Sequence, residues 1–74
     1  MKGHISIIGD YDNLKPVIKQ LDEMRRYREG GRSFSYDSGH CRVDYFYDEY
    51  DMAELDYEIV VNEENKNNIQ IEEW

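Results

Sequence analysis

The sequence predicts an α+β fold of two layers, one helix packed on a mostly antiparallel sheet, in the order β-α-β-β-β-β. Three observations lead there. Apolar residues fall on alternate positions through Cys41, Val43, Tyr45 and Tyr47, and again through Tyr57, Ile59 and Val61, which is the period of half-buried strands. Leu14, Val17, Ile18, Leu21 and Met24 recur at helical spacing, so one side of that stretch is an apolar stripe. Ser38-Gly39 joins two alternating stretches by two residues, the length of a tight hairpin.

His4–Ile8 reads as the first strand, with Ile5 and Ile7 toward the core. Gly9–Asn13 is a turn in which Asn13, or Asp12, caps the following helix. That helix is expected over residues 14–29. Pro16 is then at its third position, where no intrahelical N–H is needed. Arg25, Arg26 and Arg28 fall in its last turns, beside the negative end of the dipole, and Gly30-Gly31 ends it.

Ser33–Asp37 is the second strand, with Phe34 and Tyr36 inward. Pairing Asp37 with His40 sets Tyr36 opposite Cys41 and Phe34 opposite Val43, with Ser35 opposite Arg42 on the other face. A slip of one residue would break that agreement, so the register is well specified. Residues 49–56 connect the third strand to a fourth, Tyr57–Asn62, with a short helical turn around Met52–Leu55. A final strand, Ile69–Glu72, follows a polar loop over residues 63–68. A hairpin centred on Asn65 would pair Val61 with Ile69 and Ile59 with Ile71.

At 74 residues the chain is expected to form one domain, near the lower limit for folding without metals or disulfides. It carries a single cysteine, which excludes an intramolecular disulfide and suits a reducing compartment. The only apolar run near the start, Ile5–Ile8, is too short for a signal peptide or a membrane span. The expected location is the cytoplasm.

Charge is unevenly spread. Residues 1–32 hold seven Lys/Arg and five Asp/Glu, whereas residues 33–74 hold two and twelve, giving +2 and −10. Such a surplus disfavours direct contact with nucleic acid or anionic membrane and favours basic partners. Seven Tyr, two Phe and one Trp are too many aromatics for a disordered chain.

No catalytic or cofactor signature is present. Two histidines and one cysteine without CxxC or HExxH spacing do not make a zinc site. His40 and Cys41 are strand neighbours whose side chains point to opposite faces, so Cys41 has no adjacent base. The acidic run Asp44 to Glu54 lacks the glycine of a calcium loop. No metal, cofactor or enzymatic activity is expected.

One helix covers one sheet face, and the other should be open. That face would display Ser35, Asp37, Arg42, Asp44, Phe46, Asp48, Glu58, Val60, Asn62, Gln70 and Glu72, with Glu49, Asp51, Glu54 and Asp56 from the connection. Alternate strand positions lie about 6–7 Å apart, the same order as the phosphate spacing of about 3.4 Å of rise per strand. Phe46 and Val60 would be apolar anchors in this charged field, flanked by Tyr47 and Tyr50. The residues expected to meet a partner are Asp44, Phe46, Asp48, Glu49, Tyr50, Asp51, Glu54, Asp56 and Glu58.

In size, charge, tyrosine-rich acidic strands and compact α+β layout, the chain resembles the small acidic phage-borne inhibitors, including anti-CRISPR proteins and other DNA mimics. The resemblance is one of class and carries no shared motif. It implies an inhibitor in which carboxylates stand where phosphates would go. The partner would be a basic, nucleic-acid-binding effector, such as a Cas protein or complex, in the bacterial host cytoplasm. The alternative is a small adaptor or self-assembling module using the same face or an exposed strand edge, with Trp74 packed on a neighbour or closing the protein's own core.

Overall fold

The computed structural model describes residues 3–66 and 68–74; the side chain of Asp37 and all of Asn67 lie outside the described residues. The chain runs β1 (Gly3–Gly9), α1 (Tyr11–Met24), β2 (Arg32–Asp37), β3 (His40–Tyr47), α2 (Tyr50–Val60), α3 (Glu63–Lys66) and β4 (Gln70–Glu73). The four strands form one antiparallel sheet in the order β2-β3-β1-β4. With α1 and α2 as the crossovers, this is the β-α-β-β-α-β arrangement called ferredoxin-like. The α+β class and the antiparallel sheet agree with the sequence; the element order does not.

The expected fourth strand is a helix. Ala53, Asp56 and Val60 are buried, and Met52 and Tyr57 pack against the core, a stripe at i, i+3, i+4 and i+7 spacing. An aspartate in the middle of that stripe hid it, and the chance alternation of Tyr57, Ile59 and Val61 suggested a strand instead. The hairpin centred on Asn65 is consequently absent. β4 pairs with β1, setting Ile71 opposite Ile7, while Ile69 and Ile71 are buried as expected.

α1 begins earlier and ends earlier than its sequence suggests. Asp10 precedes it in extended conformation, and its carbonyl accepts from the N–H groups of Asn13 and Leu14 at 2.9 and 3.0 Å. No side chain caps it, so neither Asn13 nor Asp12 does so. Pro16 stands at the sixth helical position, leaving the exposed Asp12 carbonyl without its usual donor. The helix stops where Arg25 turns left-handed, at φ 50°. Residues 25–31 then leave the helix to serve β3. The Arg28 N–H donates to the Phe46 carbonyl at 2.9 Å, and the Phe46 N–H donates to Gly31 at 2.7 Å. A Cβ on Gly31 would stand 2.7 Å from the Phe46 oxygen, so this approach requires glycine.

The β2–β3 hairpin has the register read from the sequence, with Asp37 opposite His40 and Tyr36 opposite Cys41. Positive φ at both Ser38 and Gly39 makes the turn type I′. The core is a single cluster of Ile5, Ile7, Leu14, Val17, Leu21, Cys41, Val43, Tyr45, Tyr47, Ala53, Val60, Ile69 and Ile71. α2 packs over β1, β3 and β4, and α1 over β1. β2 is left at the margin, so Phe34 and Tyr36, expected in the core, are 47% and 68% exposed.

Candidate functional site

The exposed side of α2 carries a set of carboxylates without ion-pair partners among the described residues. Asp51, Glu54 and Glu58 share one flank at i, i+3 and i+7, with axial steps of about 4.5 and 6 Å. Asp48 and Glu49 stand exposed just ahead of them, and α2 contains no lysine or arginine. Among the described residues none of these five carboxylates has an ion pair.

Their field is felt by neighbours. Burial, then Glu54 and Glu58, raises the carboxyl pKa of Glu73 on β4 above the usual range. One of its oxygens is buried without a hydrogen-bond partner. Tyr50, at the start of α2, is pushed up chiefly by the charge of Glu73, with Glu54 and Asp51 adding to it. Beside the acidic flank, Leu55 and Ile59 are 41% and 39% exposed. They are the apolar residues of this surface. Ile59 was expected in the core and Val60 outside; the helix reverses them.

The other expected contacts fall elsewhere. Asp56 has no solvent exposure. It accepts 2.7 Å hydrogen bonds from Arg26 Nε and the Tyr47 hydroxyl, so it anchors α2 to β3 and is unavailable to a partner. Arg26 is thereby engaged inside the protein rather than at the α1 dipole.

Asp44 and Phe46 do lie on the open sheet face, but in a self-contained network. Asp44 is buried by its neighbours and accepts from Ser6, from His4 Nε2 at 2.8 Å and from Arg42 Nε at 3.2 Å. Burial pulls its carboxyl pKa upward, but the donors Ser6, Arg42 and His4 together hold it below the usual value. Above it the ring of His4 is stacked between Phe46 and Trp74, with centroids 4.4 and 4.6 Å away. Arg28 caps the Phe46 ring at 5.6 Å and Arg42 the Trp74 ring at 6.0 Å.

The His4 ring is thus sandwiched, while the outer ring of Trp74 remains 52% exposed. Trp74 is held by paired backbone hydrogen bonds with His4, which places it on its own sheet and not in the core. His4 and Ser6, the residues that complete this network from β1, were not singled out in the sequence; the strand pairing that brings them to Asp44 is long-range.

Among the described residues no group of three His, Cys, Asp or Glu is placed to hold a metal ion. The groove lined by Asp22, Arg25, Tyr27, Arg28, Glu29 and Gly30 holds a structural hub. Asp22 accepts from the Tyr27 and Tyr45 hydroxyls and pairs with Arg32 at 3.3 Å. No helix among the described residues is long and apolar enough to cross a membrane. No protein-family model and no curated protein sequence matches the chain.

Proposed function

We propose that the protein is an acidic protein-binding inhibitor that occupies the nucleic-acid-binding surface of a basic partner, an anti-CRISPR acting on a Cas effector being the version its class resemblance suggests. The observation that carries this reading is the unpaired carboxylate row of Asp48, Glu49, Asp51, Glu54 and Glu58 on and before α2. Solubility alone would be served by interspersed charges of both signs. A one-signed ridge on a helix free of cations instead complements a channel lined with arginine and lysine.

Leu55 and Ile59 supply what a purely electrostatic surface lacks. Apolar side chains beside a charged rim give a contact its short-range specificity, the part the sequence had assigned to Phe46. The reading is tested by reversing Asp48, Asp51 and Glu54 to lysine. The triple variant should keep its fold and lose binding and inhibition of the basic partner. A folded variant that binds as before would overturn the reading.

A further inference from the structure

We infer that the protein self-associates as a two-fold dimer through its β2 edges, joining two four-stranded sheets into one of eight strands. This surface is separate from the acidic ridge, and the inference stands or falls independently of it.

The backbone of β2 supplies the first argument. The type I′ turn makes Asp37 and His40 a hydrogen-bonded pair, and such pairs alternate along an antiparallel ladder. Ser33 and Ser35 therefore turn their N–H and C=O groups to β3, as does Gly31, whose oxygen accepts from Phe46. Phe34 and Tyr36 turn theirs outward, where no hydrogen bond reaches them among the described residues. A second β2 placed antiparallel about Ser35 sets Phe34 opposite Tyr36 of the other copy. In that register the outward groups of one strand meet those of the other.

Side chains agree with the same register. Phe34 and Tyr36 project on one face and are largely exposed, with Tyr11 packed edge-on against Phe34 at 6.1 Å. The pairing would create two Phe–Tyr cross-strand contacts, a favourable combination. The strand lacks the devices that normally blunt an edge: it has no proline, no lysine and no bulge.

Charge selects a second copy of this chain as the occupant. Residues 32–40 contain one arginine and one aspartate and so are neutral overall. The other edge, β4, is four residues long, carries Glu72 and Glu73 and adjoins Glu54 and Glu58, so it repels a copy of itself. Pairing β2 with β2 puts the two acidic β4 edges at opposite ends of the sheet, about 34 Å apart. That exceeds the Debye length of about 8 Å at physiological salt, so repulsion between the two β4 edges is screened. With one adhesive edge per chain the assembly closes as a dimer.

The test combines two variants with sedimentation equilibrium from dilute to concentrated solution. Phe34→Pro or Tyr36→Pro removes an outward N–H that has no partner within the chain, and should weaken self-association about tenfold or more. Ser35→Cys tests the register without disturbing the fold. In this dimer the Ser35 Cα atoms face each other at about 4.5 Å, within disulfide reach, so oxidation should cross-link it. Ser33→Cys, displaced about 14 Å from its own copy, should not. A monomer at every concentration, a dimer unaffected by the proline variants, or equal cross-linking at both positions would overturn the inference. If the proline variants fail to fold, the cysteine pair decides.

Discussion

The Tyr47 hydroxyl donates a 2.7 Å hydrogen bond to the Asp56 carboxylate, and both side chains are without solvent exposure. This bond, with the Arg26 Nε contact on the other oxygen, joins α2 to the middle of the sheet and to the end of α1. A buried carboxylate is tolerated only when charge-paired and fully hydrogen-bonded. Asp56→Ala strips Arg26 and Tyr47 of their partner and should cost about 3 kcal/mol. Tyr47→Phe, which removes one donor from the carboxylate, should cost about 1.5 kcal/mol. Urea midpoints at constant slope measure both.

Asp44 should dominate the acid limb of stability on the sheet face. Its pKa in the fold lies below the ordinary 3.8, so the unfolded chain binds the proton more tightly. The stability it contributes is present above 3.8 and is lost as pH falls through the lower, folded value. Asp44→Asn should flatten that limb. Glu73 has the opposite sign: its raised pKa means that ionisation costs the fold stability, which acid restores as pH falls through the raised value. Glu54→Gln should move the Glu73 titration downward in a carbon-detected NMR experiment.

Two tyrosines should resist alkali. Burial raises the pKa of Tyr45 and of Tyr47, the latter helped by Asp56. Their contribution is fully present below pH 10 and is lost as pH rises through the folded values. In a spectrophotometric titration, two of the seven tyrosines should ionise only as the fold opens, a step that Tyr47→Phe reduces to one.

The proposed partner-binding surface should separate into two kinds of effect. Charge reversal at Asp51 or Glu58 should slow association and reduce its salt dependence, because rim charges act mainly on the encounter. Leu55→Ala and Ile59→Ala should speed dissociation at unchanged salt slope. All four residues are exposed, so thermal stability should move by no more than about 0.5 kcal/mol. Surface plasmon resonance at two salt concentrations distinguishes the patterns.

Much of the sheet was legible because local rules govern it. The register of Phe34 with Val43 follows from a two-residue turn and alternating side chains, and the inward facing of Ile5, Ile7, Ile69 and Ile71 follows from period two. What failed depended on distant partners. α2 was masked by Asp56, a polar residue whose burial is possible only because Arg26 and Tyr47 meet it from elsewhere in the chain. Phe34 and Tyr36 alternate like core residues, yet β2 lies at the margin of the sheet, where α1 touches it through Tyr11 and Asp22 and leaves both rings largely exposed. The acidic residues from Asp48 to Glu58 were recognised as a candidate surface, but on the wrong scaffold: a helix spaces them differently, buries Asp56 and brings Leu55 and Ile59 outward. Asp44 and Phe46 were separated from them for the same reason.

The most direct test of the central claim is capture of partners from bacterial lysate by the tagged protein, with duplex DNA as competitor and with the Asp48→Lys, Asp51→Lys, Glu54→Lys variant alongside. The expected result is a basic nucleic-acid-binding protein that high salt releases, that DNA displaces and that the variant fails to retain. A partner retained equally by the variant, and indifferent to salt and DNA, would contradict the claim.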